Sequence, residues 1–186
     1  MKEVEHSINS GKTPVVFADG SAVYGKLSKT YRTHSKGLFI LAPSGSGKSY
    51  FVNRQVVKNW IDGDLLWVVT GADYSNDTWD ESLEQIMEIN ARSDIITEQA
   101  KKQGFWVIGS SNLFLQPDAI VIPDWDTHLR YVTSRETHGY DGGATTADLD
   151  GLKAHIEWIN KTWKDKVPFF DSVENAIEYL ETGDRA

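Results

Sequence analysis

The chain has 186 residues, no cysteine, a formal net charge of −8, and 40% hydrophobic and 11% aromatic residues. That is enough apolar material for the core of one α/β domain. It excludes disulfides and thiolate metal sites, which fits a reducing cytoplasm, and it disfavours general nucleic-acid binding, which needs a basic face. No run approaches the ~20 apolar residues of a membrane helix, and residues 1–6 lack the apolar centre of a signal peptide.

Residues 1–13 are polar and read as loose. Val15–Ala18, Asp19-Gly20 and Ser21–Tyr24 predict a β-hairpin with a tight Asp-Gly turn. Lys26 to Lys36 is polar and basic, so it is expected at the surface. Residues 1–36 are therefore expected to form a hairpin extension, packed at one edge of the sheet.

The apolar run Gly37–Leu41 predicts a buried strand, and Tyr50–Lys58 predicts a helix with Phe51, Val52, Val56 and Val57 on its apolar face. Between them lies Ala42-Pro43-Ser44-Gly45-Ser46-Gly47-Lys48-Ser49. Strand, glycine loop, Gly-Lys-Ser and helix make a phosphate-cradling P-loop. Small residues let successive N–H groups turn inward on one anion, and the helix N-terminus adds partial positive charge. In this pattern the Ser44–Tyr50 stretch binds the nucleotide. Lys48 reaches the β- and γ-phosphates, and the Ser49 hydroxyl takes Mg²⁺. Ala42 stands where the strict pattern has Gly.

Trp60–Asp64 predicts a second strand ending in carboxylates, with Asp62 and Asp64 on the same side of an extended stretch. Such strand ends form the ligand crevice of a doubly wound sheet. Thr78–Glu81 has the capping-box pattern. Ser93-Asp94 is expected to start a new helix, ending at Gly104. The strand Phe105–Gly109 runs into Ser110-Ser111-Asn112 where a standard Walker B strand would end in Asp, so the metal's acid is sought at Asp62 or Asp64. Ala119–Ile122 predicts the fourth strand. Trp125–Arg135 predicts a helix with Trp125, Leu129 and Val132 inward, and Arg130 and Arg135 are candidate phosphate clamps. The glycine-rich stretch from His138 to Thr146 is lid-like. A helix follows on Leu152, Ile156, Ile159 and Trp163. Lys166–Phe170 predicts the last strand. Asp171 with Glu174 predicts the cap of a final helix carrying Val173, Ala176, Ile177 and Leu180. The five histidines show no paired metal-ligand spacing, and Trp60, Trp67 and Trp106 read as core or pocket wall.

This order of elements resembles the nucleoside monophosphate kinase superfamily over roughly residues 37–181. Asp62-Gly63-Asp64 is placed as in gluconate, shikimate and adenylylsulfate kinases, and loosely as in polynucleotide 5′-kinases. The texture also resembles uncharacterised kinase-like proteins of large DNA viruses and phages, for which host cytoplasm would be the location. The resemblance implies a three-layer αβα P-loop fold with a mostly parallel five-stranded sheet, a kinase-like domain over 37–186 and a lid at about 136–151. It implies ATP and Mg²⁺ as cofactors and γ-phosphoryl transfer to a small acceptor, a nucleoside monophosphate or a hydroxyl metabolite. Catalytic roles then fall on Lys48, Asp62, Asp64, Arg130 and Arg135, with Ser49 and Asp64 at the metal. The alternatives are transfer to a nucleic-acid 5′-hydroxyl, for which Lys26, Lys29, Arg32 and Lys36 offer a basic patch, and a nucleotide-binding ATPase module without an acceptor. A more distant likeness is to bacterial serine kinases of sugar-transport regulation.

Overall fold

The computed structural model describes residues 23–69, 83–139 and 143–183. Five strands form one all-parallel sheet: β1 Leu38–Leu41, β2 Trp60–Asp62, β3 Trp106–Gly109, β4 Ala119–Val121 and β5 Phe169–Phe170, in the order β2-β3-β1-β4-β5. With them, among the described residues, are seven α-helices: α1 Val23–Thr30, α2 Lys48–Arg54, α3 Gly63–Val69, α4 Leu83–Lys102, α5 Trp125–Thr137, α6 Leu149–Trp163 and α7 Val173–Thr182. This is the expected α/β class and fits a three-layer αβα arrangement. None of the described helices is long and apolar enough to cross a membrane.

The reason for the parallel sheet lies in the strand sequences. Leu-Phe-Ile-Leu of β1 is buried at every position, and so is Ala-Ile-Val of β4. Continuous apolar runs need cover on both faces, which helical crossovers supply. The chain divides into two compact units, Met1–Phe39 with Gln55–Leu115, and Ile40–Arg54 with Gln116–Ala186.

In the first unit, β2 pairs with β3 in register Trp60↔Trp106, Ile61↔Val107 and Asp62↔Ile108. Leu38 N–H reaches the Phe105 carbonyl at 3.3 Å, which ties β1 to β3. Residues 24–36 join this core. Leu27 is buried, Tyr24 stacks on Phe105 at 6.1 Å, and His34 stacks on Trp106 at 3.6 Å. Burial pushes the Tyr24 phenol up to about 12. Val23 and Tyr24 are helical, which corrects the strand expected there; the rest of the expected hairpin lies outside the described residues. Trp60 is fully buried core and is tilted against the half-buried Trp106 at 5.1 Å; the Trp67 side chain lies outside the description.

Two further expectations are corrected here. The helix after the P-loop ends at Arg54, leaving Val56 and Val57 exposed instead of on an apolar face. Gln55 explains the stop. Its amide accepts from Trp60 N–H at 2.8 Å and Asn59 N–H at 3.2 Å and donates to the Trp60 carbonyl at 2.8 Å, so the chain folds straight back into β2. Ser93-Asp94 does not restart a helix, because α4 runs unbroken from Leu83 to Lys102. Asp94 is fully buried and spends its carboxylate elsewhere. It accepts from the N–H groups of Leu113, Phe114 and Leu115 at 2.8, 2.5 and 2.9 Å and from the Asn112 amide at 2.8 Å. Burial raises its carboxyl above the ordinary range, and those four donors offset part of the rise. The capping box at 78–81 lies outside the described residues.

In the second unit, β1 pairs with β4 (Ile40↔Ala119, Leu41↔Ile120) and β4 with β5 (Ile120↔Phe169, Val121↔Phe170). Val173, Ala176 and Ile177 are the buried stripe of α7, as the spacing predicts. Its cap is Ser172, whose hydroxyl accepts from Asn175 N–H, and not Asp171, which accepts from the Asn175 side chain at 2.8 Å. Asp94→Ala would strand three backbone donors, so a loss of about 2–4 kcal/mol is expected from the urea unfolding midpoint.

Candidate functional site

The second unit carries the glycine loop at 42–49. Phe39, Ile40, Leu41 and Ala42 are wholly buried, so the strand delivers the loop from a rigid base. Ala42 is not at positive φ, which is why a side chain is tolerated at that position. Gly45 and Gly47 are, at φ +83° and +92°. Those angles cost little only without a Cβ, and alternating backbone hands turn N–H groups towards one concave face. Ser46 closes the turn: its hydroxyl donates to the Pro43 carbonyl at 2.6 Å and its N–H to the same oxygen at 3.1 Å. Lys48 then opens α2 and is 8% exposed. Ser49 is half-buried in the same turn.

Ser44 fixes the loop's place. Its carbonyl accepts from His128 Nε2–H of α5 at 2.7 Å, and its hydroxyl accepts from Ala144 N–H at 2.8 Å and from Arg135 Nη1 at 3.4 Å. Arg135 also donates to the Ala144 carbonyl through Nη2. The α5 face packs closely as well. A Cβ on Gly45 would come within 2.7 Å of Val132 Cγ2 and 3.2 Å of the His128 ring.

His128 is fully buried. A carbonyl only accepts, so Nε2 carries the proton, and Nδ1 has no partner among the described residues. Burial lowers the His128 pKa, the Ser44 hydrogen bond works against that, and the Arg135 charge adds to it. The ring is neutral near pH 7 and serves the loop as a fixed donor.

The remaining candidates are distributed as follows. Arg130 is exposed and donates to Thr127 Oγ1 at 2.8 Å, inside its own helix, so of the two arginines it is Arg135 that reaches the loop. Tyr50 is 64% exposed, with the Arg54 guanidinium bonded to its hydroxyl and 4.7 Å from its ring centre. Asp62 and Asp64 belong to the first unit and do not share one side of a strand. The strand ends at Asp62, and Gly63 starts α3. The bend is tight, since a Cβ on Gly63 would fall 2.9 Å from the Gly109 Cα. Asp62 Oδ1 accepts the Asp64 N–H at 3.1 Å, as a helix cap does. Asp64 instead lines a cleft with Ser110 and Ser111, while Asn112 is buried on Asp94. Among the described residues no group of three His, Asp or Glu is arranged to hold a metal ion.

His128 and Ala144 were not expected at the loop. A histidine between Trp125 and Val132 on the inward face of α5 was the available signal for His128. Nothing local marks Ala144. No protein-family model matches the chain, and a search of curated proteins finds no match.

His128→Phe removes the donor to Ser44 and should cost about 1–3 kcal/mol; His128→Gln, which keeps an N–H donor, should recover part of it. Burial also lowers the His155 pKa. As pH falls below about 6.5, the unfolded chain takes up protons that folded His128 and His155 refuse, so stability should decline from there towards their lowered folded values. Urea midpoints between pH 7.5 and 5 should fall more steeply for the wild type than for His128→Gln.

Proposed function

We propose that this chain is an ATP-dependent phosphotransferase of the P-loop kinase type. One observation carries the reading: two glycines at φ +83° and +92° stand between a wholly buried parallel strand and a buried lysine at the start of a helix. The fit to a nucleoside triphosphate rests on that donor set. Backbone N–H groups of the 44–49 loop and Lys48 would hold the β- and γ-phosphates. The Ser49 hydroxyl is a hard oxygen ligand suited to Mg²⁺. That ion keeps several waters and binds through phosphates, so it needs no all-protein cage. ATP would supply the γ-phosphoryl group. Arg135, Ala144 and His128 keep the loop shaped through Ser44. Asp62 caps α3, which makes Asp64 the carboxylate of the pair to test as the acceptor's general base. A Mg²⁺-ATP enzyme without cysteines belongs in the cytoplasm.

The exposed Lys26, Lys29, Arg32 and Lys36 favour one second reading, a nucleic-acid 5′-hydroxyl acceptor. The test is transfer of labelled γ-phosphate with nucleoside monophosphates, sugar acids, free sugars and 5′-hydroxyl oligonucleotides in one panel. Lys48→Ala should reduce transfer by at least about 100-fold with an unchanged melting temperature. Slow ATP hydrolysis indifferent to the whole panel would instead identify a nucleotide-binding module.

A further inference from the structure

The lysines and arginines are unevenly placed. Residues 24–37, 55–61 and 98–107 hold seven of the 19 in the chain, with one acid, Glu98. The rest of the chain has 12 bases against 26 acids. Solubility asks for no such separation, because interspersed charges solvate a surface as well. The net charge of −8 averages over it.

The fold brings the three stretches together within the first unit. Lys36 stands two residues before β1, Lys58 two before β2, and Lys101 and Lys102 five and four before β3. These parallel strands are neighbours in the order β2-β3-β1, so the residues that lead into them lie at one end of the sheet. Backbone contacts tie the group. Arg32 N–H donates to the Lys58 carbonyl at 2.9 Å, His34 N–H to the Gly104 carbonyl at 2.8 Å, and Trp106 Nε1–H to the Lys36 carbonyl at 2.9 Å. Gly37 is pressed against the Lys101 carbonyl, with no room there for a Cβ. Helix α1 joins through Tyr24 on Phe105 and through buried Leu27. Lys26, Lys29, Arg32, Lys36 and Lys102 are exposed, and Lys58 and Lys101 partly so. Glu98 pairs with Lys102 at 3.3 Å, a half-exposed contact one helical turn apart and of little weight.

The kind of base on this face points to its partner. Six of the seven are lysines. Protein interfaces are depleted in lysine and enriched in arginine and aromatic residues. A phosphate backbone takes point charges at many places along its length. An anionic membrane fits less well, because α1 spends its apolar Tyr24 and Leu27 on the core. Val56 and Val57 beside Lys58 are exposed. A whole myristoyl chain holds a bilayer only marginally, and two valines bury less.

We propose that this end of the first unit is a docking face for nucleic acid, bound through its phosphates without base recognition. The assignment is independent of the kinase reading. It also separates docking from phosphorylation: the bases lie where the strands start, and parallel α/β sheets receive their reacting ligands where the strands end.

The experiment uses the full chain without nucleotide. Fluorescence polarisation follows a labelled 20-nucleotide single strand and the matching duplex between 50 and 200 mM NaCl. With about five cations each meeting one phosphate, affinity should fall about 100-fold or more over that range, and alike for oligonucleotides of different sequence. The triple variant Lys29→Gln, Arg32→Gln, Lys102→Gln should weaken binding at least about tenfold at 50 mM and flatten the salt dependence. A second triple variant, Lys153→Gln, Lys161→Gln, Lys164→Gln, removes the same charge from α6 and its C-cap and should stay within about twofold of wild type. Both variants should keep the wild-type melting temperature. Docking without labelled transfer to the 5′-hydroxyl would support this assignment and remove the nucleic-acid acceptor reading. Three results would overturn the assignment: no binding at 50 mM salt, equal losses in the two triple variants, or tighter binding of polyglutamate or phosphatidylserine vesicles than of either oligonucleotide.

Discussion

The glycine loop at 42–49 depends on how Ser44 is held. A glycine-rich loop has few side chains to define its path, and Gly45 and Gly47 have the widest backbone freedom in the stretch. Ser44 answers this with both of its polar groups. The carbonyl is engaged by His128 and the hydroxyl by Ala144 and Arg135. The holding groups come from 84 to 100 residues further along the chain. The loop's shape is therefore a property of the folded second unit, and α5 acts on it through packing at Gly45 as well as through hydrogen bonds.

The first unit solves a similar problem with a different residue. The stretch after β3 has no ladder partners, and buried backbone N–H groups need acceptors. Asp94 accepts from three successive ones and from Asn112. A carboxylate inside a helix thus organises a loop 18 to 21 residues away. This fixes the segment that begins with Ser110 and Ser111, and so one wall of the cleft that Asp64 lines.

These two arrangements also separate structural from chemical polar groups. Asp62, Asn112 and Arg130 all have the residue types of functional sites, yet each is engaged locally: in a helix cap, on Asp94, and on Thr127 of the same helix. Lys48 and Ser49 stand at the end of the loop, and Asp64 lines a cleft.

The apolar runs of β1, β3 and β4 and the stripes of α6 and α7 were legible in the chain, because burial on both faces of a parallel sheet demands unbroken hydrophobic stretches and helices demand a 3.6-residue repeat. The loop at 42–49 was legible too, since its glycines meet a local backbone requirement. What local pattern could not convey was where a side chain's partner lies. Ser93-Asp94 looks like a helix start because Asp commonly caps, and the competing loop at 112–115 is distant in sequence. Asp62-Gly63-Asp64 looks extended until Gly63 is pressed against Gly109. Val56 and Val57 continue the helical repeat, but Gln55 turns the chain back first. Periodicity and motif are properties of neighbours along the chain and follow from composition and spacing. The hold on Ser44, the cap role of Asp62 and the joining of Asp64 with Ser110 and Ser111 are meetings of distant residues, and only the packing of the sheet and its helices brings those about.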